Sequence, residues 1–252
     1  MFLRFNPCFW LVFIVIMNME LSRAASSVSN KQVVFVEKRL REILDEWPKG
    51  FIAHVDLALL LKKTDNARYS VIKRALKSGM LVRLKRGLYL IANKLKHSLP
   101  DEYELALHIY GPSFVSLESA LSYHGWIPEA VYTITCVTPK QAQEFTTPIG
   151  VFSYKRVPAE NFYTGVNRIE TAEGVIFVAA PWRALADLMY TNRLSWEGLD
   201  HLEADLRIDK ETLVDSDKNL LAILAKDYPS SRVRKNLKKF LNELEGLPKG
   251  NG

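Results

Sequence analysis

The stretch of sequence that decides the fold reads TDNARYSVIKRALKSGMLVRLKRGLYLI, residues 64–91. Its first half has apolar residues at helical spacing, and Gly79 supplies the left-handed stop that ends such a helix. The second half, Met80–Ile91, alternates in part between apolar and basic residues and turns at Arg86-Gly87. We therefore predict a basic helix followed directly by a short β-hairpin.

Two further helices precede this stretch. Gln32–Glu46 has valine, leucine and isoleucine at helical spacing with charged residues on the other face, and a second helix spans about His54–Leu61. The polar turn Lys62–Asn66 separates that helix from the next one. Helix, helix, turn, helix and hairpin is the order of a winged helix-turn-helix, which we predict for residues 31–96.

Charge is distributed unevenly along the 252 residues. Residues 31–98 contain 16 Lys and Arg against 6 Asp and Glu, a net charge of +10, whereas residues 99–252 have a net charge of −5. A basic amino-terminal domain joined to a slightly acidic one predicts a polyanionic partner for the first domain. Nucleic acid is the favoured partner, and an acidic membrane surface is the weaker alternative.

The helix and hairpin of this basic stretch contain the residues that we expect to contact double-stranded DNA. Helical spacing turns Val71, Ile72, Ala75 and Leu76 inward, which leaves a polar side that can reach phosphates and base edges in a major groove. The hairpin has cations at its tip, which suit the DNA backbone or the minor groove, and alternation puts Val82 and Leu84 on its other face. The predicted contact residues are Arg68, Tyr69, Ser70, Lys73, Arg74 and Lys77 on the helix, and Arg83, Lys85 and Arg86 on the hairpin. The alternative is that these charges form solvated faces.

Beyond Lys96 the pattern mixes helices and strands. We predict an α+β chain whose second domain, residues 97–246, is a mixed α/β domain with a helical tail. The predicted helices are Asp101–Tyr110, Leu117–Tyr123, Pro181–Tyr190, Leu220–Asp227 and Ser231–Leu244, and the predicted strands are Tyr132–Val137, Val151–Val157 and Val175–Ala179.

The last predicted helix of the tail is basic on one side and apolar on the other. Its cations are candidates for a second nucleic-acid surface: Arg232, Arg234, Lys235, Lys238 and Lys239. The alternative interpretation is the solvated face of an ordinary amphipathic helix.

Ser116 and His124 lie within one short helical segment, so one alternative is that they form a catalytic nucleophile and its general base. The segment lacks a Gly-x-Ser-x-Gly turn, and no third group is apparent that would orient His124. We expect instead that Ser116 caps the helix, that His124-Gly125 terminates it, and that Asp187 is a buried or paired carboxylate. Glu173 and Asp187 flank a strand without a lysine at short spacing, so we predict no metal site. The sequence therefore predicts neither an enzyme nor a cofactor.

The first 30 residues bear on localisation. An apolar run, Phe9–Met17, followed by small residues resembles a secretory signal, although it is too short to span a bilayer. Translation that starts at Met19, or at the methionine two residues before it, would omit this run. Cys8 and Cys136 lie in unlike contexts, which predicts neither a disulfide framework nor a zinc site and fits a reducing compartment. We expect a cytoplasmic protein with no membrane partner.

Three phrases of the sequence share their order and spacing with one known family. They read KSGMLVRLKRGLY (residues 77–89), FVSLESALSYHG (114–125) and APWRALADLMY (180–190). Together they resemble the AbiEi-type antitoxins of type IV toxin–antitoxin (abortive infection) systems, and the resemblance covers about residues 33 to 245. Two features depart from the family pattern: the apolar leader, and Ala180 before Pro181, where the family has serine.

The resemblance implies a function as well as a fold. It implies a winged-helix repressor that binds double-stranded DNA at its own promoter, with a carboxy-terminal domain that counters a nucleotidyltransferase-like toxin. The favoured hypothesis is therefore a transcriptional autorepressor and antitoxin. The alternative is a metal-dependent nuclease, or another enzyme, that a winged helix targets to DNA.

Overall fold

The structure is a computed structural model. It describes residues 31–129, 131–172 and 174–246, with the side chains of the first helix described from Lys38 onward. The apolar leader predicted for residues 1–30 and the carboxylate of Glu173 lie outside the described residues.

The chain divides into two compact units. The first unit runs to Asp101 and also takes in Thr147–Gly150, whereas the second comprises Glu102–Thr146 and continues from Val151. Each unit combines helices with its own β-sheet. The predicted α+β class is therefore confirmed.

The first unit has a three-stranded antiparallel sheet. Its elements are α1 (Lys31–Glu46), β1 (Phe51–Ala53), α2 (His54–Leu61), α3 (Asp65–Lys77), β2 (Leu81–Lys85), β3 (Leu88–Ile91) and α4 (Ala92–Leu95). The strand order is β1-β3-β2, so β3 lies in the centre. Strand β1 and helix α4 were not predicted, because three or four residues are too few to show a period.

The core of the first unit forms where the helices pack against this sheet. Its buried members are Leu40, Leu44, Ile52, Leu57, Leu61, Val71, Ile72, Ala75, Leu81, Tyr89 and Ile91. Complete burial of one aliphatic side chain contributes about 1.5–3 kcal/mol. Helix α3 supplies the stripe Val71, Ile72 and Ala75 to this core, which is the inward face expected from its sequence.

The hairpin departs from simple alternation. Leu81 and Leu84 are buried, whereas Val82 is half-buried, so the prediction that Val82 and Leu84 share one face is wrong. The register shifts between Arg83 and Lys85, which leaves Leu84 as an extra residue opposite β3. Such a β-bulge changes the side of the sheet on which the following side chains lie.

The second unit is built on a six-stranded mixed sheet. Its elements are α5 (Glu102–Ile109), β4 (Phe114–Val115), α6 (Leu117–Tyr123), β5 (Thr133–Thr138), β6 (Gln143–Thr147), β7 (Gly150–Arg156), β8 (Val166–Glu170), β9 (Val175–Ala179), α7 (Pro181–Thr191), α8 (Leu199–Leu206), α9 (Lys210–Val214), α10 (Lys218–Asp227) and α11 (Ser231–Gly246). The strand order is β6-β7-β5-β4-β9-β8, and β5 pairs in parallel with β7, as β4 does with β9. The helices and strands predicted for this region are confirmed. Strands β4, β6 and β8 and helices α8 and α9 were not predicted.

Helix α7 is the most deeply buried helix segment of the second unit. All eight residues from Trp182 to Met189 are buried, including Arg183 and Asp187. The Nε of Arg183 donates to the Asp187 carboxylate at 3.0 Å, one turn away. The hydroxyls of Ser116 and Tyr228 donate to the same carboxylate at 2.8 and 2.9 Å. The expectation that Asp187 is buried and paired is therefore confirmed.

The Arg183 guanidinium extends this network to a loop. Its Nη1 donates to the carbonyl oxygen of Thr164 at 2.8 Å and to that of Asn161 at 3.3 Å. The guanidinium also lies over the rings of Phe114 and Tyr228, at 5.1 and 5.6 Å from their centroids. Burial, and then the Asp187 charge, raises the pKa of Tyr228, so this phenol stays protonated and donates.

The side chain of Ser116 has a different partner from the one predicted. Ser116 lies at the N-cap of α6, as predicted, but its side chain makes no capping hydrogen bond. The hydroxyl is bound to Asp187 instead, so the prediction that Ser116 caps the helix with its side chain is wrong. The predicted end of the helix is confirmed, because His124 is the C-cap and Gly125 follows with a φ of +70°.

Three findings concern only the residues that the structure describes. No helix among them is long and apolar enough to cross a bilayer. No cluster of three or more His, Cys, Asp or Glu side chains among them could hold a metal ion. Cys136 is a free thiol, and burial raises its pKa.

The Asp187 network predicts a large and specific loss of stability. Asp187→Ala leaves the Arg183 guanidinium buried without its carboxylate, and we expect the free energy of unfolding to fall by about 3–5 kcal/mol. The matched control is Arg168→Ala, which breaks the exposed ion pair with Glu170 and should cost about 0–1 kcal/mol. Urea denaturation measures both, and equal losses for the two variants would contradict the role assigned to the network.

Candidate nucleic-acid interface

Helix α3 has one polar face that does not take part in the core. The exposed residues on this face are Tyr69, Ser70, Lys73 and Lys77, and 65% of Tyr69 is accessible to solvent. The face exists because the apolar stripe of α3 fixes how the helix is rotated on the sheet.

Asn66 belongs to the same face and was missed by the sequence analysis. It is exposed, and the Ser70 hydroxyl donates to its backbone carbonyl oxygen at 2.9 Å rather than to its side chain. An amide can both donate to and accept from an adenine edge. Helical spacing could have identified Asn66, because it precedes Lys73 by about two helical turns and therefore lies on the same face of the helix.

The Arg68 side chain does not extend freely from the first turn of α3. Its Nη2 is paired with the Asp65 carboxylate, and its Nη1 donates to the carbonyl oxygen of Lys63 at 3.4 Å. Only 15% of the side chain is exposed, and its Nε is buried without a partner among the described residues. Arg74 is half-buried, and its Nε is likewise buried and without such a partner.

The hairpin tip presents two exposed guanidinium groups. Arg83 and Arg86 are exposed, whereas Lys85 is half-buried. Gly87 forms the turn with a φ of +85°, and its carbonyl oxygen accepts from the backbone N–H of His54 at 2.8 Å. The tip is therefore fixed to the start of α2.

The charge on these two elements is almost entirely positive. Residues 65–87 contain seven Lys and Arg but one acidic residue, Asp65, and that carboxylate is paired with Arg68. A surface of this kind attracts polyanions and neutralises phosphate charges when they bind. It combines exposed cations with polar groups on a helix, as direct contact with DNA requires.

The five candidate cations of the tail have two different environments. Three of them donate to backbone carbonyl oxygens: Arg232 to Met189 and Leu194, Arg234 to Tyr228, and Lys239 to Glu197. Lys235 and Lys238 are exposed. The two arginines therefore help to pack α11 into the second unit, and the structure does not bring the five charges together as one free surface.

Ser116 and His124, considered above as nucleophile and base, bind different groups. The Ser116 hydroxyl is completely buried and donates to Asp187. The Nε2 of His124 lies 2.9 Å from the carbonyl oxygen of Ala179, and burial lowers the pKa of this imidazole. The two side chains thus connect α6 to its neighbours in the second unit.

Comparison with known proteins adds no family assignment. No model of a known protein family matches the chain, and no curated protein matches its sequence. The resemblance to AbiEi-type antitoxins therefore stays a prediction from the three phrases quoted above. The candidate interface rests on the residues of α3 and of the hairpin.

The hairpin turn predicts the effect of one substitution. Gly87→Ala requires an L-residue at a φ of +85°, although its Cβ would have room, since the nearest atom is 3.8 Å away. We expect a loss of about 1–2 kcal/mol in the free energy of unfolding, from backbone strain alone. Gly246→Ala, with nothing within 4 Å and no such φ, is the control and should not destabilise the protein. Thermal melting tests both, and a Gly87→Ala protein as stable as the parent would contradict the turn geometry.

Proposed function

We propose that this protein is a DNA-binding transcriptional autorepressor that acts as the antitoxin of a type IV toxin–antitoxin system. The observation that carries the proposal is the exposed polar face of α3, next in sequence to a hairpin with exposed arginines at its tip. The two elements provide the two kinds of contact that a sequence-selective DNA-binding protein uses.

The first unit is interpreted as a winged helix-turn-helix. In that interpretation α2 and α3 are the helix-turn-helix pair, and the β2–β3 hairpin is the wing. The order α1-β1-α2-α3-β2-β3 supports it, as does the pairing of β1 with Leu88–Leu90 of β3, which adds a third strand to the hairpin. Helix α3 would then be the recognition helix, which enters a major groove.

The exposed residues divide by the contacts that they would make. Asn66, Ser70 and Lys73 lie on one face of α3 at spacings of three and four residues, so their polar atoms can reach base edges. Arg83 and Arg86 would bind phosphates, which positions the protein without selecting a sequence.

Arg68 has a different place in this proposal. Its guanidinium is already bound to Asp65 and to the Lys63 carbonyl, which holds the turn before α3. Moving its Nη2 to a base would release Asp65, whose side chain is 90% exposed and would then face solvent. We therefore assign Arg68 to positioning α3, and Lys73 to the base contact.

The antitoxin role is proposed for the second unit. Two of the three family-like phrases meet there, because Ser116 in one donates to Asp187 in the other. These phrases contribute side chains to the buried centre of the second unit, so the residues that carry the resemblance also hold this unit together. The proposed functional partner is a nucleotidyltransferase-like toxin, and the proposed compartment is the cytoplasm.

Salt-dependent DNA binding tests the proposal directly. Arg86→Ala should weaken binding to every duplex equally and lower the slope of log K against log salt by about 0.9 for each lost phosphate contact. Lys73→Ala should cost about 1–3 kcal/mol on the duplex from upstream of the gene and much less on a scrambled duplex. Titrations of both variants on both duplexes, at several salt concentrations, provide the comparison.

Arg41→Ala is the matched control for these titrations. It removes one exposed cation of the first unit from α1, outside the proposed contact residues, so it should bind both duplexes like the parent. If Arg86→Ala and Lys73→Ala also bind like the parent at every salt concentration, α3 and the hairpin are not the DNA surface. Cleavage of either duplex by the parent protein in the presence of magnesium would favour the nuclease alternative over a repressor.

A further inference from the structure

The second unit contains an open cleft of about 630 Å³ that the proposed DNA interface does not use. Four cations line it: Lys155, Arg156, Arg193 and Arg232. They come from the end of β7, from the residues after α7 and from the start of α11. The fold therefore gathers cations that are distant in sequence around one concave site.

Within the described residues, the charge in this cleft has no acidic counter-charge. No acidic residue is among the described residues that line the cleft. Within the described part of the chain, none of Lys155, Arg156 and Arg193 forms an ion pair. Like charges that converge without counter-charges repel one another, and a bound anion removes that repulsion.

Two features at the start of α11 add to the positive potential of the cleft. Arg232 is held in place, because two of its guanidinium nitrogens donate to the carbonyl oxygens of Met189 and Leu194. Ser230 lies in the cleft wall directly before α11, a helix of 16 residues, so the positive end of that helix faces the same space. The site thus combines one arginine that is held in the wall with three exposed cations.

We propose that this cleft binds the phosphate groups of a small polyphosphate, of about the size of a nucleoside triphosphate. Its volume lies in the range of small-molecule sites, about 300–1,000 Å³. Three exposed cations, Lys155, Arg156 and Arg193, can bind the phosphates of a triphosphate, and the charge of Arg232, which its carbonyl partners hold in the cleft wall, adds to their positive field. None of its lining residues belongs to the proposed DNA-binding face of α3.

Isothermal titration calorimetry of the full chain tests the site with two probes, sodium tripolyphosphate and ATP. The test variant is Lys155→Ala with Arg193→Ala, both at exposed positions, so the fold should be retained. We expect it to bind both probes at least about tenfold more weakly than the parent, since each cation contributes a charge-assisted contact. The control variant, Lys210→Ala with Lys226→Ala, removes two exposed cations of the same unit that do not line the cleft. It should bind like the parent.

The relative affinities for tripolyphosphate and ATP show which part of the ligand the cleft binds. Equal affinity for the two probes assigns the site to the triphosphate group alone, and tighter binding of ATP adds a nucleoside contact, so both support the proposal. Absence of binding by the parent, or equal weakening in the control variant, overturns it. It is also overturned if the cleft variant loses affinity for a single-stranded oligonucleotide but not for ATP. Arg156→Ala, at another exposed position, replaces the double variant if circular dichroism shows that the latter is unfolded.

Discussion

The buried ion pair between Arg183 and Asp187 is the constraint on which the second unit depends. Burying two charges away from water costs free energy unless each has further hydrogen-bond partners. Here the hydroxyls of Ser116 and Tyr228 donate to the Asp187 carboxylate beside Arg183. Those donors come from the start of α6 and from the residue after α10. The pair therefore fixes α7 against several elements at once, and the residues that follow α7, Arg193 among them, reach the cationic cleft from a fixed position.

The first unit is held by burial of apolar surface rather than by a buried charge. Helix α3 contributes Val71, Ile72 and Ala75 to the core, and this alone determines which of its residues face solvent. The hairpin has a polar anchor as well, because the Gly87 carbonyl accepts from the N–H of His54. The face proposed to contact DNA is thus a consequence of packing. It consists of the polar side chains of α3 that the core excludes, and the buried stripe sets the rotation of the helix that turns them toward solvent.

Much of the fold could be predicted from the sequence, because most helices and the longer strands have a clear period. The remainder depends on contacts between distant residues. Strand β4 has two residues, and only its partners β5 and β9 make it a strand. The bulge at Leu84 appears only once β2 is paired with β3. In the candidate site, the polar face of α3 followed from helical spacing. The pairing of Arg68 with Asp65 was not predicted, although the same spacing allows it, because residues three apart are neighbours on a helix.

Contacts in three dimensions also explain why the number of basic residues in a segment does not identify a binding surface. Arginine and lysine have two roles in this chain. Arg183 and Arg232 donate to backbone carbonyl oxygens and hold loops and helices in place, which the planar guanidinium does well because it has five donors in a fixed geometry. Lys73 and Arg86 are exposed and remain available to a partner. The net charge of a segment does not separate these roles, because a cation with carbonyl partners contributes to stability and an exposed one to binding. Burial and hydrogen bonding distinguish the cations that stabilise the fold from those that are available to a partner. On this basis we propose α3, the hairpin tip and the cleft as binding surfaces, rather than the tail helix.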